Sequence, residues 1–233
     1  MTKGLIFDYG GTIDSKGTHW SWIIRDAYSQ NGVNIDLEPF RETYVEGERE
    51  LARHRHVLPG DNFLQVMKRK MEIHRLYLAQ KGYADITAQQ ADDIANTCYQ
   101  AARNCVDEAK PTIEALSQRF PLMLVSNFYG NIDTVLRDFD IRHLFKGIIE
   151  SAMVGVRKPD PTIFRLGVDA LQLDPQDVMV VGDSVRKDIL PAQSLGCQTV
   201  WVKGKPWTDD ENRFTHPRTI TSLAEITQFL PEN

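Results

Sequence analysis

From Pro111 onward the chain alternates short apolar runs with amphipathic segments, and few folds accept that pattern. Leu122-Met123-Leu124-Val125, Gly147-Ile148-Ile149, Val178-Met179-Val180-Val181 and Thr199-Val200-Trp201-Val202 read as buried strands. Around them, Pro111–Arg119, Ile132–Phe139, Pro161–Leu171, Arg186–Leu195 and Ser222–Leu230 carry helical periodicity. Such alternation builds parallel β-α-β units. Gly4-Leu5-Ile6-Phe7 is one more apolar run, stopped at Asp8 and the Gly10-Gly11 pair, so it reads as a strand ending in a sharp loop. Between Trp20 and about Lys110 only helical periodicity recurs, in Trp22–Gln30, Leu37–Leu51, Phe63–Gln80 and Ala88–Val106. Breaks fall at Gly32, Pro59-Gly60 and Lys81-Gly82, and Thr87 is placed to cap the last helix. The expected fold is therefore α/β. Residues 1–15 and 109–233 form a doubly wound parallel-sheet core of Rossmann-like type, with an all-helical module, 16–108, inserted.

Composition excludes some functions. A net charge of −5, from 27 basic and 32 acidic residues, argues against a dedicated nucleic-acid binder, which needs a basic face. No apolar run approaches the ~20 residues of a membrane span. Met1-Thr2-Lys3-Gly4 leads straight into a strand without a signal-peptide pattern. Cys98 and Cys105 sit seven positions apart on one helix. That is a rise of roughly 10 Å, beyond the ~7 Å limit for a disulfide. With Cys197 the count is odd, so reduced thiols and a cytoplasmic setting are expected.

Open parallel sheets bind ligands beyond the carboxyl ends of their strands. Asp8 follows the first strand, Ser126 and Asn127 the second, and Asp183 and Ser184 the run Val178–Val181. Lys158, in Arg157-Lys158-Pro159-Asp160-Pro161, precedes the helix that comes after Ile148-Ile149. Two converging carboxylates, Asp8 and Asp183, repel unless a cation neutralises them, and oxygen ligands suit magnesium. Asp8 has the chemistry of a covalent nucleophile. Ser126 and the amides near Asn127 can donate to phosphoryl oxygens, and Lys158 can offset an anionic transition state.

These segments resemble the haloacid dehalogenase (HAD) superfamily. Phe7-Asp8-Tyr9-Gly10-Gly11-Thr12-Ile13-Asp14 is similar to its first motif and Val125-Ser126-Asn127 to its second. Lys158-Pro159-Asp160-Pro161-Thr162-Ile163-Phe164 is similar to the third, and Val181-Gly182-Asp183-Ser184 through Asp188 to the fourth. The helical insert matches the C1-type cap of the phosphoglycolate phosphatase-like subfamily. The resemblance implies a nucleophilic Asp8 and a Mg2+ ion held by Asp8, the Gly10 carbonyl and Asp183. It further implies phosphate contacts from Thr12, Ser126, Asn127 and Lys158, support from Asp188 and Ser184, and a small phosphorylated metabolite as substrate.

Gly10 departs from that pattern. Family phosphatases carry there a second Asp that protonates the leaving group and activates water, and losing such a group typically costs on the order of 10²–10⁴-fold in rate. A phosphatase moving the proton by water, substrate or a cap residue is the leading reading. A catalytically quiet binding or regulatory protein is the alternative, and phosphonatase-like or 2-haloacid dehalogenase-like hydrolases follow. Asp14 is near, but family members often have Asp there with no acid role. The cap lysines Lys68, Lys70 and Lys81 read as a solvated face.

Cap loops choose substrate. Arg53 or Arg55, in Arg53-His54-Arg55-His56, is a candidate for meeting an anionic part of it, against a plain basic turn at a helix end. His19 or Trp20 can line the cleft, and Trp22 is expected in the core. Trp201, Trp207 and Phe214 read as packing residues, and Pro206–Pro217 as an ordinary surface loop.

Overall fold

A computed structural model describes residues 1–208 and 210–231. Six parallel strands form one sheet: β1 Gly4–Phe7, β2 Leu122–Ser126, β3 Gly147–Glu150, β4 Val178–Gly182, β5 Gln198–Val202 and β6 Thr219–Ile220. Their order is β3-β2-β1-β4-β5-β6. The register sets Ile6 beside Met123 on one side and Val180 on the other.

Side chains alternate across a strand, so each strand feeds both faces. Leu5, Phe7, Leu124, Val181 and Val200 join one apolar cluster. Ile6, Val125 and Val180 join another, with Ile163, Phe164 and Val168 of helix α7 (Thr162–Leu171). Both faces are thus covered, which is the doubly wound arrangement.

Four helices lie between β1 and β2: α1 Trp20–Gln30, α2 Leu37–Arg53, α3 Phe63–Lys81 and α4 Ala88–Ser117. Their buried residues, among them Ile24, Phe40, Met71 and Ile94, belong to the same cluster as Leu5 and Phe7. The insert and one sheet face therefore share a core. Thr87 caps α4 in a reciprocal capping box with Gln90.

Three details differ from the sequence reading. First, α4 does not stop near Val106 but runs through Pro111 to Ser117, crossing the boundary expected at 108 and 109. Its buried stripe, Ala102, Val106, Ala109, Ile113 and Leu116, keeps helical spacing across the proline, and that packing outweighs one missing N–H bond. Second, the segment after β4 begins as a wide π-type turn, Val185–Ile189, before the short helix α8, Leu190–Ser194. Third, the final segment is a 3-10 helix, Leu223–Phe229. The two-residue strand β6 has no run for the pattern to reveal. The remaining helices are α5 Ile132–Asp138 and α6 Ser151–Val154. Among the described residues no helix is long and apolar enough to cross a membrane. All three cysteines are free thiols.

Candidate active site

Asp8 sits just past the carboxyl end of the central strand. Its Oδ1 accepts hydrogen bonds from the Tyr9 amide at 2.7 Å and the Ser126 hydroxyl at 3.0 Å, and lies 2.7 Å from the Lys158 ammonium. Among the described residues no donor is hydrogen-bonded to Oδ2. One oxygen is anchored and the other is left for chemistry.

Lys158 is held from both ends. Its ammonium also contacts Asp188 Oδ1 at 2.7 Å. Asn127 grips its backbone, accepting from the Lys158 amide at 2.9 Å and donating to its carbonyl at 3.1 Å. The Asn127 side chain therefore positions Lys158. Asp188, fully buried, spans from Lys158 to the Ser184 amide, 3.0 Å from its Oδ2. Thr12 is also fully buried, and its hydroxyl donates to Asp183 Oδ1 at 3.0 Å. Ser184 donates to Glu211 at 3.2 Å. The Trp201 indole donates to the Asp183 carbonyl at 2.7 Å, so this residue steadies the loop after β4 as well as packing on Phe214.

Close approach explains two glycines here. Gly11 has φ +95, and a side chain on it would run into the Asp183 carboxylate. A side chain on Gly182 would meet Asp188.

The electrostatics ask for a cation. Asp8, Asp183 and Asp188 bring carboxylate oxygens within 4.8 Å of one another, and Lys158 is the ammonium among them. Burial pushes the Asp8 carboxyl up to about 6, against the pull of Lys158. Burial and then the Asp188 charge push Asp183 well above its ordinary range. Burial works against the Lys158 charge, yet Asp188 and Asp8 outweigh it and hold the ammonium above its usual value. Three carboxylates against one ammonium leave surplus negative charge in a site of oxygen donors, which fits Mg2+.

A cavity of about 460 Å³ opens above these groups, and Asp8, Gly10, Asn127, Asp183, Ser184 and Asp188 lie along one side. The insert supplies the other wall. His19 and Trp20 line it, at the start of α1. Burial, then Lys187, lowers His19 to about 4, so its ring is neutral. Tyr44 and Glu48 come from α2, and Phe63 and Lys70 from α3.

Lys70 overturns one expectation. It is 6% exposed, not solvated, and its ammonium lies 2.6 Å from Glu48, whose other oxygen accepts from the Tyr129 hydroxyl at 3.1 Å. Burial disfavours the Glu48 charge, but Lys70 more than compensates and holds it below the usual carboxylate range. The signal lay in spacing: Phe63, Met67, Lys70, Met71, His74 and Leu78 form one buried stripe. Phe40, Tyr44, Gly47 and Leu51 repeat the pattern on α2, with Glu48 half-buried beside them.

Trp207 also lines the cavity, 5.1 Å from His19 and 5.3 Å from Tyr44 between ring centroids. It and Thr208 belong to the Pro206–Pro217 segment, of which Asp209 lies outside the described residues. The structure thus turns this surface loop into a cavity wall. Trp22 is only partly buried, donating to the Pro206 carbonyl at 2.8 Å under the Lys205 ammonium. Arg53 and Arg55 do not line the cavity. Arg53 folds back onto Glu46 of its own helix at 2.6 Å, and Arg55 is exposed. Of the other cap lysines, Lys68 pairs with Asp92 and Lys81 with Glu42 at the surface.

A family model of haloacid dehalogenase-like hydrolases matches residues 2–196. This chain belongs to that family. A glyceraldehyde 3-phosphate phosphatase of Pyrococcus abyssi is 33% identical over 91 residues, which is 39% of this chain and 38% of that protein. The alignment thus spans well under half of that curated relative. Among solved structures, a protein named as the HAD-hydrolase YfnB of Bacillus subtilis, bound to magnesium, aligns with TM-score 0.61 at 20% identity, covering 98% of each chain. A dehalogenase in an intermediate complex aligns with TM-score 0.62 at 18% identity, over 100% of this chain and 98% of that one. At these identities the likeness is one of fold, and it includes this HAD hydrolase's helical cap and Rossmann-like core.

Proposed function

We propose that this HAD hydrolase is a Mg2+-dependent phosphatase for a small phosphorylated metabolite, working through an aspartyl-phosphate on Asp8. The observation that carries the reading is the asymmetry of Asp8: Oδ1 is pinned by Ser126, Tyr9 and Lys158 while no donor among the described residues bonds Oδ2. Residues 1–15 and 109–233 act as the catalytic core and 16–108 as the cap over it, with α4 (Ala88–Ser117) running unbroken across the join. Asp8 Oδ2 attacks phosphorus, the bond to the leaving oxygen breaks, and that oxygen takes up a proton. Water then cleaves the acyl-phosphate and frees Asp8. Lys158 offsets the added negative charge, and the Ser126 hydroxyl fixes the nucleophile. Asp8, Asp183 and the Gly10 carbonyl would hold the Mg2+, which supplies charge neutralisation when bound. Unpaired cysteines fit a reducing, cytoplasmic setting.

Phosphate esters are favoured over haloacids because the family's dehalogenases work without metal, whereas Asp183 and Asp188 here crowd Asp8 with negative charge. The phosphatase name of the Pyrococcus abyssi relative points the same way.

Gly10 removes a proton carrier but leaves room at its root: a Cβ there meets nothing within 4 Å among the described residues. Phosphate release from a panel of phosphate monoesters with Mg2+ tests the reading on wild type, Asp8→Asn and Gly10→Asp. Wild type should turn over slowly, Asp8→Asn should be dead, and Gly10→Asp should gain up to about 10²–10⁴-fold. Phosphate release that survives Asp8→Asn sinks the covalent route. Silence in wild type with activity in Gly10→Asp would instead support the quiet binding protein.

A further inference from the structure

The Arg53-His54-Arg55-His56 segment has no part in the cavity, yet it brings together a different constellation. Glu50 lies in the last turn of α2, His54 follows the helix end, and His56 returns two residues later. One carboxylate oxygen, Glu50 Oε1, lies 2.8 Å from His54 Nδ1 and 2.8 Å from His56 Nε2. The three ligand atoms all fall within 4.8 Å of one another. The backbone makes this possible. His54 is extended, with φ −124 and ψ 144, which ends the helix, and the His56 amide bonds the His54 carbonyl at 3.0 Å. Val57 is then buried against Leu51 and Val66, and the Pro59 carbonyl accepts from Thr134 of α5 at 2.7 Å. The turn is thus fixed by contacts that need no ion.

We propose that Glu50, His54 and His56 form a second metal site, selective for a borderline divalent cation such as Zn2+ over Mg2+. Two imidazole nitrogens and one carboxylate oxygen match zinc chemistry, whereas Mg2+ demands oxygen ligands and octahedral geometry. Bonds of about 2.0–2.2 Å to a tetrahedral ion set ligand atoms roughly 3.3 Å apart, so each contact opens by about half an ångström. The imidazoles are free to do so, with side chains 66% and 36% exposed. Water completes the fourth position. Of the nearby cations, Arg53 is already neutralised by Glu46, while Arg55 stands exposed between the histidines and opposes an ion. The site is coupled to the cavity, because α2 also carries Tyr44 and Glu48 into it, and Tyr129, the partner of Glu48, packs on the Leu51–Val57 cluster. Zinc here would brace the end of the helix that forms one cavity wall.

Titration calorimetry with ZnCl2 on the full chain in excess Mg2+ tests the site apart from any activity. One zinc equivalent should bind wild type, survive in Asp183→Asn, and weaken at least tenfold in His54→Ala and in His56→Ala. Arg55→Ala should bind zinc more tightly. Thermal midpoints in EDTA, unchanged in the histidine variants, show that they fold. No zinc bound by wild type, wild-type affinity in both histidine variants, or loss confined to Asp183→Asn would each overturn the proposal.

Discussion

Asp14 satisfies two donors at once. Its oxygens accept from the Gly11 amide at 2.7 Å and the Trp20 indole at 3.0 Å, tying the loop after β1 to the first helix of the insert. Burial nonetheless pushes its carboxyl up to about 7, with those two bonds pulling the other way. A folded-state value above the ordinary 3.8 means the folded chain holds the proton more tightly than the unfolded one. Stability is then greatest below that ordinary value and falls as pH rises through about 7. Asp8 acts in the same sense. His19 and His74, held low by burial, act in the opposite sense, so in EDTA it is the wild-type thermal midpoint relative to that of Asp14→Ala that should drop between pH 5 and 8. Asp14→Ala also leaves two donors unpaired, at about 1–3 kcal/mol each at low pH. A slope identical to wild type would rule out Asp14 as its source. At this scale the sequence was informative wherever a polar residue ended an apolar run, as at Asp8, Ser126 and Asp183. It was silent on partners: nothing in Val125-Ser126-Asn127 says that Asn127 turns to the Lys158 backbone, or in Gly11-Thr12 that Thr12 turns to Asp183.

Among the elements, α4 best separates what periodicity reveals from what it hides. Its start was readable, because Thr87 and Gln90 have the spacing of a capping box, with Gln90 accepting from the Thr87 amide at 3.0 Å and donor and acceptor roles exchanged at 3.1 Å. Its end was not, because proline is a strong local stop that only tertiary packing overrules. Thr87→Ala should lower unfolding free energy by about 1 kcal/mol in urea titrations, with the slope against urea unchanged. An effect near zero would mean that packing alone sets the helix start. The Arg53–His56 segment shows the converse. Charge allowed either an anion contact or a plain basic turn, and helix geometry sends Arg53 back to Glu46. Charge sign alone does not give direction.

For the whole molecule, the decisive feature is the cavity between the cap and the carboxyl ends of the strands. Its walls come from the loops after β1, β2 and β4, from α1, α2 and α3, and from the segment after β5, so no single stretch of sequence encodes it. The buried Lys70 is the sharpest example, since its neighbours Glu48 and Tyr129 are 22 positions before and 59 after it in sequence. Breaking a buried ion pair typically costs about 3–5 kcal/mol. The Glu48 side chain is 35% exposed, so Lys70→Met should sit at or below the low end of that range. Lys70→Met with Glu48→Leu should recover most of the loss, and a double variant no more stable than Lys70→Met would show that the two do not act as a pair.

The place of β1 in the sheet has a consequence for how the chain is made. Its neighbours are Leu122–Ser126 and Val178–Gly182, so β1 is made before both of its partners and is flanked on both sides only once the fourth strand has been added. The helices α1 to α4 emerge early and can settle on one another through local contacts. Asp8 must wait for Ser126, Lys158 and then Asp183 and Asp188 to be synthesised. A nascent chain halted anywhere before Gly182 carries Asp8 without its full electrostatic setting. The charge balance around Asp8 thus stays incomplete during translation until Asp188 has been added.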